Sequence, residues 1–267
     1  MRNYKLAIIG GGVMGKAILA NLLDNNIFKF NQIIISDLSA KNRNRLKKRF
    51  KVKTTASNLE IINSEIILLA VKPQHAKTVF KDLKGRLKDQ TVISIMAGIS
   101  LDSLKKGLGA NNIVRSMPNT PAQIGLGMIV WKKIGKVNIK LVKKIFNSLG
   151  EEIEVKNERL INSATAISGS GPAYVFDFID ILTKNAKEFG FTADQSRKLV
   201  EQMFKGAIAM LQKTNKTANE LKKAVTSKGG TTEEALRIIK KEKIEQKYNL
   251  AISACQKKAE KISKNYG

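Results

Sequence analysis

Three glycines near the start of the chain, Gly10, Gly12 and Gly15, are spaced as G-x-G-x-x-G between a β-branched run and a helical pattern. Gly10 would permit a tight strand-to-helix turn, Gly12 would let the backbone approach a pyrophosphate, and Gly15 would let the helix pack closely on a sheet. The alternative is a glycine turn with only a structural role. The context favours a dinucleotide site formed by the residues from strand to helix: Ile9, Gly10, Gly11, Gly12, Val13, Met14 and Gly15.

The second predicted strand ends at Ser36 and Asp37, 22 residues after the glycine motif. A carboxylate at this place can bond the adenine ribose 2′-hydroxyl of NADH. Lys41, Arg43 and Arg45 could instead neutralise the 2′-phosphate of NADPH. The sequence therefore predicts a nicotinamide cofactor and leaves the choice between NADPH and NADH open.

Residues that follow the other strands belong to the same predicted crevice, because ligands bind at the carboxyl ends of the strands in such sheets. Ala70, Val71, Lys72 and Pro73 run across the end of the fourth strand, and the Lys-Pro pair would fix the backbone at a helix entry. The small Ala97-Gly98 pair, after the fifth strand, would leave room for a flat nicotinamide ring. Each could also be an ordinary loop. Asn58 could bond the adenosine side of the cofactor or serve as a helix N-cap.

Two further segments have no simple folding explanation. Arg115-Ser-Met-Pro-Asn-Thr-Pro-Ala122 ends the sixth strand with two prolines that would stiffen a loop near the crevice. Thr226-Ser-Lys-Gly-Gly-Thr-Thr232 places glycines and hydroxyls before a helix that we expect to open with a capping box at Thr231-Thr-Glu-Glu234. Helix-start N–H groups behind glycines favour a site for the carboxylate of a small acid. Its predicted residues are Ser227, Gly229, Gly230, Thr231 and Thr232.

Histidine and cysteine each occur once in the sequence, as His75 and Cys255. We therefore predict no metal site, and Ser-His-Asp and Cys-His catalysis are excluded. His75 is interpreted as a solvent-facing residue at a helix start. One cysteine cannot form an intramolecular disulfide, which agrees with a reducing, cytoplasmic location.

Short β-branched runs alternate with helical patterns over the first 150 residues, which is typical of a doubly wound α/β sheet. The predicted strands are Leu6–Ile9, Ile33–Ser36, Val52–Thr54, Ile66–Val71, Val92–Ile95, Ile113–Arg115, Met128–Trp131 and Ile153–Val155. The predicted helices between them are Met14–Asn25, Lys41–Phe50, Pro73–Leu87 and Leu101–Leu108, with Ser39 and Ser100 as capping residues.

After Glu158 only helical periodicity remains, with capping boxes at Thr192-Ala-Asp-Gln195 and Thr217-Ala-Asn-Glu220. We predict two domains: a Rossmann-type dinucleotide-binding domain over 1–156 and an all-helical substrate-binding and dimerisation domain over 157–267. Surplus apolar surface on the predicted helix Pro172–Phe189 indicates dimerisation through the helical half.

The charge is unusual, since 48 Lys and Arg residues against 22 Asp and Glu give a net charge of +26. The lysines are spread singly or in pairs through every segment, whereas nucleic-acid binders concentrate charge on one face and interleave aromatic residues. We expect no nucleic-acid partner. No apolar run approaches the length of a membrane span, and the N-terminus lacks the pattern of a secretory signal.

Six segments, in order along nearly the whole chain, resemble the pyrroline-5-carboxylate reductase family. They are Ile9-Gly-Gly-Gly-Val-Met-Gly15, Ala70-Val-Lys-Pro-Gln74, Ser94-Ile-Met-Ala-Gly98, Arg115-Ser-Met-Pro-Asn-Thr-Pro-Ala122, Gly169-Ser-Gly-Pro-Ala-Tyr174 and Thr226-Ser-Lys-Gly-Gly-Thr-Thr232.

The resemblance implies NAD(P)H-dependent reduction of 1-pyrroline-5-carboxylate to L-proline, the last step of proline synthesis. It assigns the second glycine-hydroxyl loop to the substrate carboxylate and Thr232 to the ring nitrogen, which makes Thr232 the expected catalytic residue. It also implies that NADPH is commonly preferred, that the helical domain interlocks two subunits, and that dimers often assemble into larger rings. Lys228 stands where proline is usual in the family.

Two other functions are weighed against this one. A β-hydroxyacid dehydrogenase would need a lysine one turn after the glycine motif on the interdomain helix, and Gly169-Ser-Gly-Pro-Ala-Tyr-Val-Phe176 offers none. A nonenzymatic NAD(P)-sensing or nucleic-acid-binding protein would fit the charge of +26. Such a protein has no need of a second site for a small acid.

Overall fold

The computed structural model describes residues 4–266, which contain an eight-stranded sheet with the order β3-β2-β1-β4-β5-β6-β7-β8. The strands are β1 Tyr4–Ile9, β2 Ile33–Ser36, β3 Lys53–Thr55, β4 Ser64–Leu69, β5 Thr91–Ser94, β6 Ile113–Met117, β7 Gly127–Ile134 and β8 Gly150–Glu154. Neighbours from β3 to β6 are parallel, β7 runs antiparallel to β6, and β8 is parallel to β7. The order reverses direction between β1 and β4, which is where doubly wound sheets open a ligand crevice.

Helices cover both faces of this sheet because alternate side chains of each strand point to opposite faces. The helices are α1 Val13–Asp24, α2 Ala40–Phe50, α3 Ala76–Leu83, α4 Leu101–Leu108 and α5 Ile139–Asn147. Leu6 and Ile8 of β1 pack in one apolar cluster with residues of α1, α2 and α5, and Ala7 and Ile9 pack in another with residues of α3 and α4.

The predicted doubly wound fold is confirmed, with three local differences. The sheet is mixed, because β7 returns from β6 through the short connection around Thr120–Ile124, and short connections join antiparallel strands. The helix predicted over Pro73–Leu87 is a 3₁₀ turn, Pro73–His75, followed by the shorter α3. Helix α5 was not predicted. Ser39 and Ser100 cap α2 and α4 as expected.

One compact unit contains residues 4–172 and 254–266, so it extends past the predicted domain boundary after residue 156. It includes α6 Arg159–Ala164, the π-helical turn Thr165–Gly169 and the end of the last helix. The extension follows from the contacts of α6 with β6 and β7. The division at 156/157 into cofactor and dimerisation domains stays a prediction.

The other compact unit, residues 173–253, is helical throughout its regular structure. Its helices are most of α7 Gly171–Glu188, then α8 Ala193–Lys213, α9 Ala218–Ala224, α10 Thr231–Lys241 and the first part of α11 Ile244–Tyr266. The capping boxes at Thr192 and Thr217 are confirmed. Hydrogen bonds from the Thr217 backbone and hydroxyl lower the pKa of Glu220.

This helical unit exposes many large apolar side chains, and Ala186, Ser196 and Val200 are its buried residues. The exposed ones include Val175, Phe176, Phe178, Ile181, Phe191, Leu199, Met203, Ile208 and Leu211. Over residues 4–266, no helix combines the length and apolar character that crossing a membrane requires.

Candidate functional site

A cavity of about 380 Å³ lies where β1, β2 and β4 end at the carboxyl edge of the sheet. It brings together nine of the residues predicted to bind cofactor: Ile9, Gly10, Gly12, Ser36, Asp37, Asn58, Ala70, Val71 and Lys72. Six further residues line it, namely Leu38, Asn42, His75, Thr78, Val79 and Asp82. The predicted crevice is therefore present at the reversal point of the strand order.

The glycine turn between β1 and α1 forms one end of this cavity. Gly10 has φ +101°, and a Cβ there would stand 2.7 Å from the Ala70 carbonyl oxygen. A Cβ on Gly15 would collide with the Gly10 carbonyl oxygen, which explains the close approach of α1 to the sheet. Gly12 is exposed, and a Cβ there would meet nothing within 4 Å. The space beside Gly12 thus remains available to a ligand at the start of α1.

Two residues of the glycine segment have side chains outside the cavity. Val13 is 66% exposed, and Met14 is half-buried against the apolar cluster beneath the sheet. Both begin α1 behind its N-cap Gly12, where the first helical N–H groups lack intrahelical partners. Their contribution to an anion site can therefore come from the backbone.

The Asp37 carboxylate, which lines the cavity, accepts hydrogen bonds from the backbone. Its Oδ2 accepts from the Gly11 N–H at 2.8 Å and from the Asn42 amide at 3.3 Å, and its Oδ1 accepts from the Ser39 N–H at 2.8 Å. The Arg43 guanidinium donates to the Asp37 carbonyl oxygen at 2.7 Å. The carboxylate therefore also braces the glycine turn.

Asn58 lies between two polar groups of the cavity wall. The Ser36 hydroxyl donates to its side-chain oxygen at 2.6 Å, and its amide donates to Asp82 Oδ2 at 2.8 Å. The N-cap of the short 3₁₀ helix here is Ser57, so the interpretation of Asn58 as an N-cap is wrong. Asp82 had no signal in the sequence, since it is one polar residue on an ordinary amphipathic helix.

Pro73 starts the 3₁₀ turn after β4 with Lys72 as the N-cap, which agrees with the predicted helix entry. His75 is exposed at the end of this turn, as expected, and also lines the cavity. Within residues 4–266, no cluster of three or more His, Cys, Asp or Glu side chains could hold a metal ion.

Ala97 and Gly98 line a different, smaller cavity of about 190 Å³ at the same edge of the sheet. Its other walls are Asn162, Thr165, Ser170, Cys255, Lys258, Ala259 and Ile262. Gly98 has φ +77°, and a Cβ there would collide with Ile262 of α11. The predicted nicotinamide-side residues therefore face the turn before α7 and the end of α11.

The predicted substrate loop lies in the helical unit and differs from its expected capping. Helix α10 begins at Thr231 with Gly230 as its N-cap and no side-chain cap, so the capping box predicted at Thr231 is wrong. The Glu233 carboxylate instead reaches back to the Gly229 N–H at 2.7 Å, and the Gly230 N–H donates to the Ser227 carbonyl at 3.1 Å. Thr231 and Thr232 occupy the first two helical positions, whose N–H groups have no intrahelical acceptor.

Two family models match the chain. One described as pyrroline-5-carboxylate reductase dimerisation matches residues 158–262, and one described as NADP oxidoreductase coenzyme F420-dependent matches residues 5–98. The pyrroline-5-carboxylate reductases of Synechocystis and of Escherichia coli K12 are each 35% identical to the chain, covering 98% of it and 99% of themselves.

Solved structures agree with these relatives. A Plasmodium falciparum pyrroline carboxylate reductase with NADP bound superposes with a TM-score of 0.89 at 33% identity, covering 98% of this chain and 99% of its own. A pyrroline-5-carboxylate reductase from Coxiella burnetii gives 0.88 at 31% identity, covering 98% and 99%. A reductive aminase from Aspergillus terreus, at 16% identity and a TM-score of 0.59 over 79% of this chain and 75% of its own, shares the fold.

Proposed function

Because the chain belongs to the pyrroline-5-carboxylate reductase family, we propose that it reduces 1-pyrroline-5-carboxylate to L-proline with NADPH or NADH, as the last step of proline biosynthesis. The observation that carries the proposal is the glycine-walled cavity at the reversal point of the sheet. The space beside Gly12 and the open N–H groups at the start of α1 suit a pyrophosphate. When bound, the reduced nicotinamide would supply a hydride to the imine carbon.

The chain's own residues would hold the two reactants. Ser36, Asp37 and Asn58 offer hydroxyl, carboxylate and amide groups to the adenosine half. Ala70 to Pro73, and the small pair Ala97 and Gly98, would border the nicotinamide half. The segment with Ser227, Gly229 and Gly230 would receive the substrate carboxylate together with the Thr231 and Thr232 N–H groups.

Thr232 is the proposed catalytic residue. Hydride addition to an imine makes a C–H bond and leaves an electron pair on nitrogen, which must be protonated or hydrogen-bonded. The Thr232 side chain makes no capping bond in α10, so its hydroxyl is available to donate to that nitrogen. The imine nitrogen is basic, so its reduction does not require a strong side-chain acid. The proposed mechanism therefore needs no histidine.

We further propose a homodimer formed through the helical unit, with assembly into a larger homo-oligomer. The exposed apolar side chains of that unit support a partner surface, since contiguous apolar exposure marks interaction sites. A cytoplasmic location is proposed from the single cysteine, which cannot form an intramolecular disulfide.

The direct test is to follow the absorbance of NADH and NADPH separately with racemic 1-pyrroline-5-carboxylate. We expect imine-dependent oxidation that stops when the L-enantiomer, half of the racemate, is consumed, with proline as the product. The control omits the imine. Cofactor binding without oxidation would contradict the reductase assignment and would favour a sensor.

A further inference from the structure

The buried guanidinium of Arg115, the central residue of β6, joins the sheet to α6. Arg115 is 3% exposed. Its Nη1 donates to Glu158 Oε1 at 2.6 Å and its Nη2 donates to Asn162 Oδ1 at 2.6 Å. Because the guanidinium is planar and its donors form a rigid fork, two bonds to separate acceptors fix the position of α6 relative to the strand.

The Glu158 carboxylate extends this connection to a third element. Its Oε1 also accepts from the Leu101 N–H at 2.8 Å, at the first residue of α4. Helix α4 directly follows the Ala97-Gly98 loop. One carboxylate thus ties together the middle of β6, the start of α4 and the start of α6.

Asn119 makes a second connection, four residues after Arg115. Its amide donates to the Ser168 carbonyl at 3.0 Å, and its side-chain oxygen accepts from the Met128 N–H at 2.9 Å. Pro172 has no N–H to offer the Ser168 carbonyl four residues before it, so this carbonyl needs a donor from elsewhere. Asn119 supplies that donor and holds the π-helical turn to the loop after β6.

The two connections support one wall of the smaller cavity. Asn162, Thr165 and Ser170 line it opposite Ala97 and Gly98. We infer that Arg115 and Asn119 are positioning residues for hydride transfer: they set the Asn162–Ser170 wall at a fixed distance from the Ala97-Gly98 loop, where the nicotinamide half is proposed to bind. The inference rests on the proposed function, and it gives a functional role to Arg115 and Asn119 within the Arg115–Ala122 segment.

Two conservative variants test this role. Arg115→Lys keeps the charge but lacks the planar fork, and Asn119→Asp keeps the acceptor for Met128 but loses the donor to Ser168. We expect kcat to fall on the order of 10- to 100-fold, because a misplacement of about 1 Å has that effect. The KM for NAD(P)H should change by less than about twofold, since the glycine turn is untouched. Arg159→Lys, an exposed neighbour on α6, is the matched control.

A second readout does not depend on turnover. Cys255 is the single cysteine of the chain, and its Sγ lies 3.3 Å from the Ser170 hydroxyl at the end of the turn. We expect both variants to raise its rate of modification by a thiol reagent, and the Arg159→Lys control to leave it unchanged. Lower melting temperature with unchanged kcat and thiol rate would overturn the inference and leave a structural role. If the wild-type protein does not reduce the imine, the proposed function fails, and equal thiol rates would then separately overturn the positioning role.

Discussion

A Cβ added at Gly12 would meet no protein atom within 4 Å and would enter the space proposed for pyrophosphate. We expect Gly12→Val to raise the KM for NAD(P)H at least about tenfold while the fold is kept, since the N-cap backbone is extended and accepts any residue. Steady-state kinetics and circular dichroism on one preparation check both parts.

Gly15→Val is the contrasting control for this experiment. A Cβ at Gly15 would collide with the Gly10 carbonyl oxygen, so this variant should lose stability as well as cofactor binding. A Gly12→Val enzyme with unchanged cofactor KM would contradict the proposed phosphate site.

Asp37 is expected to set the preference between the two cofactors. If its carboxylate repels a 2′-phosphate, Asp37→Ser should improve NADPH relative to NADH by about 1–2 kcal/mol, the scale of one charge-assisted contact. The ratio of kcat/KM for the two cofactors is the quantity to measure. Asp37 also accepts from the Gly11 and Ser39 N–H groups, so its replacement will disturb the glycine turn and lower kcat/KM with both cofactors. This common decrease cancels in the ratio.

Asp37→Asn is the isosteric control, since it removes the charge and keeps an acceptor oxygen. A preference ratio that stays constant in both variants would mean that the carboxylate does not face the ribose. Lys41 and Arg45 would then lose their proposed relevance to selectivity as well.

At this scale the sequence predicted the residues that backbone geometry requires. The tight strand-to-helix turn requires Gly10, and the close packing of α1 on the sheet requires Gly15. Asp37 could be predicted because it lies at the end of a strand. The partners of Arg115 could not be predicted, because Glu158 and Asn162 are 43 and 47 residues away along the chain. Only the folded position of α6 brings them to the guanidinium.

Thr232, at the start of helix α10, is either a structural helix cap or the hydrogen-bond donor to the imine nitrogen. Since Gly230 is the N-cap and no side chain caps the helix, Thr232→Val should leave stability within about 0.5 kcal/mol of the wild type, as is usual for a position without a special role. If the hydroxyl donates to the imine nitrogen, kcat and kcat/KM should fall on the order of 10- to 1,000-fold. Melting temperature and kinetics from the same preparation separate the two effects.

Thr231→Val is the matched control for Thr232→Val, because it changes the adjacent helical residue in the same way. A stable Thr232→Val variant with normal kcat would remove Thr232 from the mechanism. The loop N–H groups, or water, would then supply the hydrogen bond.

Elements were predicted where local pattern and packing agree. Helix α5 was missed because Ile139, Val142 and Ile145 are β-branched and locally favour a strand, whereas packing of Val142, Ile145 and Phe146 under the sheet stabilises a helix. The antiparallel direction of β7 depends on its pairing with β6, which no local pattern encodes. The cap of α10 was misassigned because Glu233, rather than a threonine hydroxyl, makes the local bond.

On the scale of the molecule, the apolar surface of the helical unit predicts self-association. Phe176 on α7 is 62% exposed. We expect Phe176→Asp to shift the protein towards monomer in analytical ultracentrifugation, because a charge in an apolar interface must be desolvated without a partner. Phe30→Asp, at a 52% exposed phenylalanine of the sheet-containing unit, is the matched control and should leave the assembly unchanged. An unchanged sedimentation profile for Phe176→Asp would place the dimer contact elsewhere.

The acidic character of β8 has a consequence for aggregation. This terminal strand of the sheet carries Glu151, Glu152 and Glu154 within its five residues. An open strand edge is a template for pairing with another molecule, and like charges brought opposite each other oppose that pairing. We expect Glu154→Val to increase light scattering on storage at high protein concentration, and Glu151→Val combined with Glu154→Val to increase it further. Glu65→Val, the same single replacement on the interior strand β4, should not increase it. Glu152 is paired with Lys143, so the exposed Glu151 and Glu154 are the carboxylates that oppose edge-to-edge association at this end of an otherwise strongly basic protein.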